Sequence, residues 1–296
     1  MSTTIDSIKN ITVIGAGAMG RQIAMTAALA GYQTTVQDIS QDMLDAASAE
    51  MSGWVESRVA KGKLEQSTAD AALANLAWET DLERAAANAD FVIEAATERL
   101  DIKRGIFESL GSLAPSHAIL ATNSSTLGSS KVAEDSARAE QVCNMHFFNP
   151  ALVMKCVEVV RHESTSDNTV DVTMELARRM GKEPVVINRE IPGFIANRVM
   201  GAINKESLFL YENGYASKED IDAAIRNGLG HPMGPLSSWT WWAWTSSTSS
   251  LRPPTRKPEP RRTSPTSPSP SSWPRASSAA SPVQVSTSTR SRSSAP

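Results

Sequence analysis

A glycine-rich turn near the N-terminus limits the possible folds of this 296-residue chain more than any other feature. The apolar run Ile11–Ile14 leads directly into Gly15-Ala16-Gly17-Ala18-Met19-Gly20, and a helical pattern continues to Ala30. A second strand-like run, Gln33–Gln37, ends at Asp38. A strand, a glycine-rich turn, a helix and another strand in this order predict a parallel crossover unit.

The same turn predicts a dinucleotide site. Gly15 allows a tight turn, Gly17 lets a pyrophosphate approach the backbone, and Gly20 lets the helix pack closely on the strand. The first N–H groups of the helix, from Ala18 and Met19 onward, are donors for the phosphates. Asp38 is placed to bind both ribose hydroxyls and to repel a 2′-phosphate, which favours NAD over NADP. The alternative is a glycine turn in a non-binding α/β domain, with Asp38 as a helix cap.

Strand-like runs alternate with helical patterns as far as residue 190. This alternation predicts a doubly wound α/β domain with a mainly parallel sheet. The further strands are predicted at Phe91–Ile93, Ala118–Leu120, Gln141–Met145, Val157–Val160 and Pro184–Ile187. The helices between them are predicted at Asp101–Leu113, Leu127–Asp135 and Asn168–Met180. The Ala-rich helical stretch Gln41–Asn75, interrupted near Gly62, predicts an antiparallel helical arm, with Trp54 and Trp78 in packing roles.

Only helical patterns follow, at Phe194–Asn213 and Lys218–Arg226. We expect Pro192 to open the first of them, because the first helical position needs no N–H. The predicted organisation is therefore a Rossmann-type NAD-binding domain over 1–190, the start of an incomplete all-helical domain over 191–236, and a low-complexity, disordered tail over 237–296.

Charge divides the chain at the same place. Residues 237–296 hold 8 of the 29 Lys and Arg residues but one of the 32 Asp and Glu residues, which leaves the first 236 residues acidic. An acidic body argues against nucleic acid as the main partner. Two cysteines, Cys143 and Cys156, fit a reducing compartment. We expect a cytoplasmic protein with no membrane partner, because no apolar run is long enough for a span and the N-terminus lacks signal-peptide features.

Several motifs occur in a fixed order further along the chain. They are Asn123-Ser124-Ser125-Thr126-Leu127, His146-Phe147-Phe148-Asn149-Pro150, Glu158, Pro192-Gly193-Phe194-Ile195-Ala196-Asn197-Arg198 and Gly230-His231-Pro232-Met233-Gly234-Pro235-Leu236. From about residue 8 to Leu236 the chain resembles the 3-hydroxyacyl-CoA dehydrogenases, and in particular the bacterial 3-hydroxybutyryl-CoA dehydrogenases.

The resemblance implies oxidation of a short-chain (S)-3-hydroxyacyl-CoA to the 3-oxoacyl-CoA, with the hydride passing to NAD. His146 matches the general base, and an imidazole titrates in the range that such a base needs. Glu158 matches the carboxylate that orients the base. Ser125 matches a serine that hydrogen-bonds the substrate oxygen, and Asn197 an asparagine that contacts the same reacting oxygen.

The resemblance also implies further binding positions. The cofactor-contacting positions of the family correspond to Glu98, Lys103, Asn123, Ser125 and Asn149. Without the resemblance, Glu98 and Lys103 lie in what reads as a solvated helix start. The helical arm is similar to the arm that helps bind CoA, and Arg58, Lys61 and Lys63 are candidates for its phosphates. The alternative for these three is a solvated helix face. The candidates include no metal ligands.

The resemblance implies a homodimer formed through the helical C-terminal domain. Because that domain is incomplete here, we expect apolar surface to be exposed and the dimer to be impaired. Two other functions remain open. One is a dehydrogenase of a free hydroxy acid or sugar acid, and the other is a non-catalytic NAD- or polyanion-binding protein that acts through its basic tail. The basic arm and the motif at His146–Pro150 favour a CoA substrate.

The tail itself indicates a change of reading frame. After Leu236 the family continues with a pattern like Glu-Leu-x-Asp-Leu-x-Gly-Leu-Asp, whereas this chain reads Trp239-Thr240-Trp241-Trp242-Ala243-Trp244-Thr245. Tryptophan has the single codon TGG, Thr codons begin with AC and Ala codons begin with GC. The frame one base to the left must therefore encode x-Asp-x-Val-Gly-x-Asp, where x is Leu, Met or Val, and this is the family pattern. Our hypothesis is a frameshift near codon 236, in the gene or in its sequencing.

Sequencing of the coding DNA tests this hypothesis. We expect the shifted frame to continue the family pattern and to encode a sequence like Gly-Arg-Lys-Ser-Gly-Ala-Gly-Val-Tyr at codons 279–287. DNA that lacks a family reading in that frame would contradict it.

Overall fold

The predicted crossover unit is present in the computed structural model of the protein, which describes residues 3–238. Strand β1 (Asn10–Ile14) leads through the glycine-rich turn into helix α1 (Ala18–Leu29), and strand β2 (Gln33–Gln37) returns parallel to β1. Ile11 and Val13 of β1 are buried, because helices cover both faces of the sheet.

Six more strands complete one sheet. They are β3 (Leu76–Glu79), β4 (Phe91–Glu94), β5 (Ile119–Thr122), β6 (Val142–Phe147), β7 (Cys156–Val160) and β8 (Glu183–Ile187). Their order in space is β3-β2-β1-β4-β5-β6-β7-β8, and every neighbouring pair is parallel except β6 with β7. The order reverses between β1 and β4, which is the switch point where doubly wound sheets bind dinucleotides. The predicted fold class is confirmed.

Helices connect and cover these strands. After α1 they are α2 (Gln41–Ala60), α3 (Gln66–Ala74), α4 (Leu82–Ala86), α5 (Leu100–Leu113), α6 (Ser130–Ala133), α7 (Asp167–Arg179), α8 (Ala196–Glu212) and α9 (Lys218–Leu229). None of the helices in the described part of the chain combines the length and the apolar character that a bilayer crossing needs.

The predicted helical arm consists of α2 and α3. Met51 and Val55 of α2, Ala72 of α3 and Met25 of α1 form one buried apolar cluster, so α3 folds back towards α1 after a short turn. Trp54 and Trp78 are partly buried against the same cluster, which agrees with their expected packing roles.

Two elements were not predicted. Strand β3 follows α3 directly and forms the outer edge of the sheet next to β2. It has four residues, no β-branched side chain and no fully buried position, so its hydrophobic pattern is too short to identify. Helix α4 has five residues and is equally difficult to recognise.

The expectation that Pro192 opens a helix is wrong. Helix α8 begins at Ala196, and residues 192–195 form a turn. Gly193 has a φ of 78° and Phe194 a φ of 47°, and these left-handed conformations cannot belong to a right-handed helix. The domain boundaries remain predictions. Of the predicted disordered tail, everything from residue 239 onward lies outside the described residues.

The two C-terminal helices expose apolar side chains, as expected for an incomplete domain. Those that are exposed on or next to α8 and α9 are Ile195, Val199, Met200, Phe209, Tyr215, Leu229 and Met233. The Asp222 carboxylate of α9 accepts hydrogen bonds from the backbone N–H groups of Leu236 and Ser237, which fastens the last described segment to that helix.

Arg138 binds the C-terminal end of α5 through hydrogen bonds. Its buried side chain donates to the carbonyl oxygens of Leu110, Gly111, Ala114 and Pro115 at 2.6–3.1 Å. The Leu110 and Pro115 carbonyls also accept from the N–H groups of Ala114 and Ala118, so the carbonyls that depend on Arg138 are those of Gly111 and Ala114 at the end of the helix. Burial lowers the pKa of Arg138. The anchored helix carries Lys103 near its other end.

Replacing Arg138 with Met is expected to lower the free energy of unfolding by about 2–4 kcal/mol, because the Gly111 and Ala114 carbonyls lose their donor and those of Leu110 and Pro115 lose one of two. Urea unfolding of the full chain measures the change. Arg104→Met is the matched control, since the exposed Arg104 guanidinium bonds a single carbonyl, that of Lys131. A change within about 1 kcal/mol is expected for it. Equal losses for the two variants would contradict the assigned role of Arg138.

Candidate functional site

The glycine-rich turn has the geometry that a pyrophosphate site needs. Gly15 has a φ of 100°, and its N–H donates to the Gln37 carbonyl at 2.6 Å. A Cβ atom at Gly20 would lie 1.8 Å from the Gly15 oxygen, so only glycine fits there. A Cβ at Gly17 would meet no atom within 4 Å, which leaves the N-terminus of α1 open to a ligand.

Asp38 lies beside this turn, directly after β2. One of its carboxylate oxygens accepts from the Ala16 N–H at 2.9 Å and the other from the Ser40 N–H at 3.1 Å. The side chain that caps α2 is Ser40, whose Oγ accepts from the Met43 N–H. Asp38 is therefore not the helix cap that the alternative interpretation required. Its role in binding the ribose stays a prediction.

His146 and Glu158 form a buried pair. The antiparallel register of β6 and β7 places the two residues directly opposite each other, and His146 Nδ1 lies 2.8 Å from Glu158 Oε2. The exposed fractions are 5% for His146 and 1% for Glu158. The expectation that these strands would bring the pair together is confirmed.

The second carboxylate oxygen of Glu158 is bound by the backbone at the start of α8. Oε1 accepts from the backbone N–H groups of Ile195 and Ala196, at 3.0 and 2.9 Å, where the turn enters α8. Burial alone would raise the pKa of Glu158, but the hydrogen bonds from His146, Ala196 and Ile195 outweigh it and lower the pKa. The carboxylate is therefore ionised at neutral pH. Sequence reasoning missed these two amide donors, because no side chain signals them.

Two aromatic rings flank the imidazole. The ring centroids of Phe148 and Phe194 lie 4.7 and 5.5 Å from that of His146. Because Glu158 binds Nδ1, the nitrogen left for a substrate is Nε2. It has no hydrogen-bond partner within residues 3–238. Phe194, Ile195 and Ala196, where the turn enters α8, thus contribute both an aromatic wall beside His146 and the two amide donors to Glu158.

Ser125, Glu98 and Asn123 cluster next to the pair. The Glu98 carboxylate accepts from the Ser125 N–H at 3.1 Å and from the Ser124 hydroxyl at 2.5 Å. The Asn123 side-chain oxygen accepts from the Phe147 N–H at 2.9 Å, directly beside His146. The loop after β5 is thereby tied to both β6 and the loop after β4. Ser124 is buried, and it was missed as a site residue although it stands in the same motif.

Lys103 does not lie at a solvated helix start. It is 1% exposed, and its Nζ bonds Glu94 Oε2 at 2.5 Å and Thr122 Oγ1 at 3.2 Å. The alternative interpretation, a solvated helix start, is wrong for Lys103 because α5 starts just beyond β4 and turns this face onto the strand ends. Its assignment as a cofactor contact stays a prediction. Glu94 was also missed. In the sequence it could have been recognised as the one acidic residue at the end of the otherwise apolar strand β4.

The remaining candidates stay apart in the structure. Asn197 lies exposed in the first turn of α8, and within the described residues no hydrogen bond joins it to the His146–Glu158 pair. Asn149 is exposed next to the cis Asn149–Pro150 bond. Arg58 packs over the Trp54 ring at 5.1 Å, while Lys61 and Lys63 are exposed just after α2. Their assignments remain predictions.

Taken together, the strand order, the glycine turn with Asp38 and the His–Glu pair define a nicotinamide-dependent dehydrogenase. The family model of the 3-hydroxyacyl-CoA dehydrogenase NAD-binding domain matches residues 10–191, and the C-terminal domain model matches residues 193–240. The chain belongs to the 3-hydroxyacyl-CoA dehydrogenase family, and its cofactor is NAD.

Individual relatives support the same family assignment. The chain is 41% identical over 230 residues to 3-hydroxyadipyl-CoA dehydrogenase of Escherichia coli, covering 78% of this chain and 48% of that protein. It thus spans about half the length of that relative. It is 38% identical to the probable 3-hydroxybutyryl-CoA dehydrogenase of Bacillus subtilis, covering 78% of this chain and 79% of that protein. The crystal structure of (S)-3-hydroxybutyryl-CoA dehydrogenase from Ralstonia eutropha superposes with a TM-score of 0.77 at 33% identity, covering 80% and 83% of the two chains.

The depressed pKa of Glu158 predicts an acid-sensitive contribution to stability. In the unfolded chain the carboxyl titrates near its ordinary value of 4.5, and in the folded protein it titrates lower. The unfolded state therefore takes up the proton first, and the contribution present at neutral pH is lost as the pH falls below about 4.5. We expect the difference in unfolding free energy between wild type and Glu158→Gln to shrink over this range.

Urea unfolding at pH 7, 5 and 4 measures this difference. The exposed Glu108→Gln change provides a control of identical chemistry. A Glu158→Gln difference that stays constant across the three pH values would contradict the assignment of an ionised, tightly held carboxylate.

Proposed function

We propose that the protein oxidises short-chain (S)-3-hydroxyacyl-CoA to 3-oxoacyl-CoA, with His146 as the general base. The observation that carries this proposal is the buried His146–Glu158 pair, in which Nδ1 is taken by the carboxylate and Nε2 is left for the substrate. When bound, NAD supplies the hydride acceptor. The hydride leaves the C3 carbon of the substrate, the hydroxyl proton goes to His146 Nε2, and a C3 carbonyl forms.

Glu158 supports this step by electrostatics. A histidine that takes up a proton becomes a cation, and a buried cation needs a fixed counter-charge. The two amide donors from Ile195 and Ala196 keep the Glu158 carboxylate in place and ionised, so that the proton stays on the imidazole. Phe148 and Phe194 reduce the access of water to the imidazole.

The substrate oxygen needs donors that hold it against His146. We assign this role to Ser125 and Asn197, which lie on the loop after β5 and in the first turn of α8. A neutral hydroxyl and a neutral amide stabilise the negative charge that develops on the oxygen without deprotonating the base. The Ser125 N–H bond to Glu98 fixes the backbone of this loop.

The residues around the glycine turn fit NAD. The open N-terminus of α1 binds the pyrophosphate, and Asp38 binds the adenosine ribose. Glu98, Asn123 and Asn149 are assigned to the nicotinamide half, because their loops lie at the strand ends next to His146.

The acyl-CoA partner is supported by chemistry at the arm. Arg58, Lys61 and Lys63 place three cations at the end of α2, which suits the phosphates of CoA. The substrates in the names of two relatives, 3-hydroxyadipyl-CoA and probable 3-hydroxybutyryl-CoA dehydrogenase, support a short acyl chain. We propose a cytoplasmic enzyme that is a homodimer when its C-terminal domain is complete.

His146→Gln is expected to lower kcat by about 10²–10⁴-fold, since the base is lost while the cofactor site is untouched. Turnover is followed at 340 nm with NADH and acetoacetyl-CoA, for both this chain and a frame-restored version. Free acetoacetate serves as the competing substrate. We expect the restored chain to be more active and the CoA ester to be preferred.

The matched control is His117→Gln. His117 precedes β5, at the amino end of that strand, whereas His146 lies near the carboxyl end of the neighbouring parallel strand β6. His117 bonds Asp90 at 2.8 Å. The kcat of the His117→Gln variant is expected to stay within about twofold of wild type. A His146→Gln variant with nearly unchanged kcat would overturn the assigned base, and equal rates with acetoacetate would overturn the CoA substrate.

A further inference from the structure

The Glu190 carboxylate joins two segments that border the candidate site. Glu190 lies between β8 and the turn at 192–195, and its side chain accepts hydrogen bonds from the loop after β5. Oε1 accepts from the Ser130 N–H at 2.8 Å and from the Ser129 hydroxyl at 3.0 Å, and Oε2 accepts from the Ser130 hydroxyl at 2.5 Å. Hydrogen bonds to a carboxylate are roughly twice as strong as those between neutral groups, so these three bonds link the two segments strongly.

The backbone of the loop comes close to this carboxylate at Gly128. A Cβ atom on Gly128 would lie 2.5 Å from the Cδ and Oε2 atoms of Glu190 and 2.7 Å from Oε1, and these are the three atoms nearest to it. A larger residue at position 128 would therefore displace the carboxylate from its serine donors. Because the φ of Gly128 is not positive, alanine is compatible with the backbone there.

The loop bound in this way carries Ser125, the candidate donor to the substrate oxygen. Asn144 of β6 binds the same loop, because its buried side chain accepts from the Ser129 N–H at 2.7 Å and donates to the Leu127 carbonyl at 3.1 Å. Asn144 lies two residues before His146 on the same strand. The loop is therefore held by side chains from β6 and from the segment after β8.

The segment that carries Glu190 continues into the turn that binds Glu158. Phe194 is 1% exposed and packs beside the imidazole of His146. A hydrogen bond from the Phe194 N–H to the Ile191 carbonyl at 3.0 Å closes this turn, and the two N–H groups that bind the Glu158 carboxylate follow directly. Movement of Glu190 is therefore transmitted to both the aromatic wall and the carboxylate, because three residues separate it from Phe194.

Capping of α6 alone is the simpler role for Glu190, since Ser130 is the first residue of that helix. However, α6 has four residues, and its Val132 and Ala133 side chains are already buried in the apolar core. The acceptor for the first N–H groups of a helix usually comes from the residue just before it. Here the acceptor comes from 60 positions further along the chain, which makes the bond a connection between segments.

We propose that Glu190 is a positioning residue for the reaction proposed above, on which this inference rests. Its carboxylate holds the Ser125 loop at a fixed distance from the turn that binds Glu158. The two candidate donors to the substrate oxygen, Ser125 and Asn197, lie on these two segments, so their spacing around His146 depends on this contact. Amide exchange reports on the contact without turnover, so its failure is distinguishable from failure of the proposed reaction in the His146 assay.

The test is amide hydrogen exchange of the full chain, followed by NMR at Ile195 and Ala196. Glu190→Ala is expected to raise the exchange rate of both amides about tenfold or more, because the turn no longer holds them against Glu158, while the amides of β6 and β7 exchange as in wild type. Glu190→Gln is the conservative variant. Its oxygen still accepts from the Ser130 N–H and its amide donates to the Ser130 hydroxyl, so exchange within about twofold of wild type is expected.

Gly128→Ala breaks the same contact from the side of the loop. It keeps the Glu190 charge and every serine donor, so it remains informative if Glu190→Ala fails to fold. We expect faster exchange at the same two amides, Ile195 and Ala196. Because both substitutions act through one contact, the variant that combines them is expected to exchange no faster than the more affected single variant.

Turnover of acetoacetyl-CoA and NADH provides the second readout, for this chain and for a frame-restored version. The kcat of Glu190→Ala is expected to fall about tenfold with a KM for acetoacetyl-CoA within about twofold of wild type, because a displaced donor weakens the transition state more than substrate binding. Glu190→Gln is expected to restore the kcat. A loss of stability alone would not produce this split between kcat and KM.

The control is Glu108→Ala, which removes an exposed glutamate and is expected to match wild type in exchange and in kcat. Three results would overturn the proposal. One is a pair of folded Glu190→Ala and Gly128→Ala variants whose exchange at Ile195 and Ala196 stays within twofold of wild type. The second is exchange that rises equally throughout β6 and β7. The third is faster exchange at the two amides with an unchanged kcat in an active enzyme.

Discussion

The antiparallel pairing of β6 with β7 is the constraint on which the site depends. Every other neighbouring pair in the sheet is parallel, so this reversal brings a second strand to the end of β6 in the opposite direction. The register then sets His146 across from Glu158. A third segment reaches the same place, because the backbone N–H groups of Ile195 and Ala196 donate to the Glu158 carboxylate. Three distant segments therefore converge on one side chain.

Two buried carboxylates near the strand ends are stabilised in different ways. Glu94 is matched by the full charge of Lys103. Glu158 is matched by a titratable histidine and two neutral amides, which leaves room for a proton to arrive on the histidine. A buried carboxylate requires partners in either case. A permanently charged partner fixes Glu94 in a structural ion pair, whereas a histidine partner leaves the Glu158 pair able to take up a proton.

Much of this architecture follows from the sequence, and the failures share a physical cause. The bounds of β2 were predicted to the residue, because Gly31 after the helix and Asp38 after the strand are local signals. The start of α8 was misplaced because the left-handed conformation of Phe194 is stabilised by packing against His146, which no local pattern encodes. The buried partners of Lys103 were not predicted for the same reason, since they come from two separate strands. The His146–Glu158 pair was predicted, but the amides that hold it were not.

The central claim is that Glu158 fixes the tautomer of His146, with the proton on Nδ1 and Nε2 free to accept. ¹⁵N NMR of the His146 ring in the full chain at neutral pH tests it directly. The account predicts a protonated Nδ1 and an unprotonated Nε2, and it predicts that Glu158→Gln loses this preference. A wild-type protein whose His146 carries its proton on Nε2 would contradict the account.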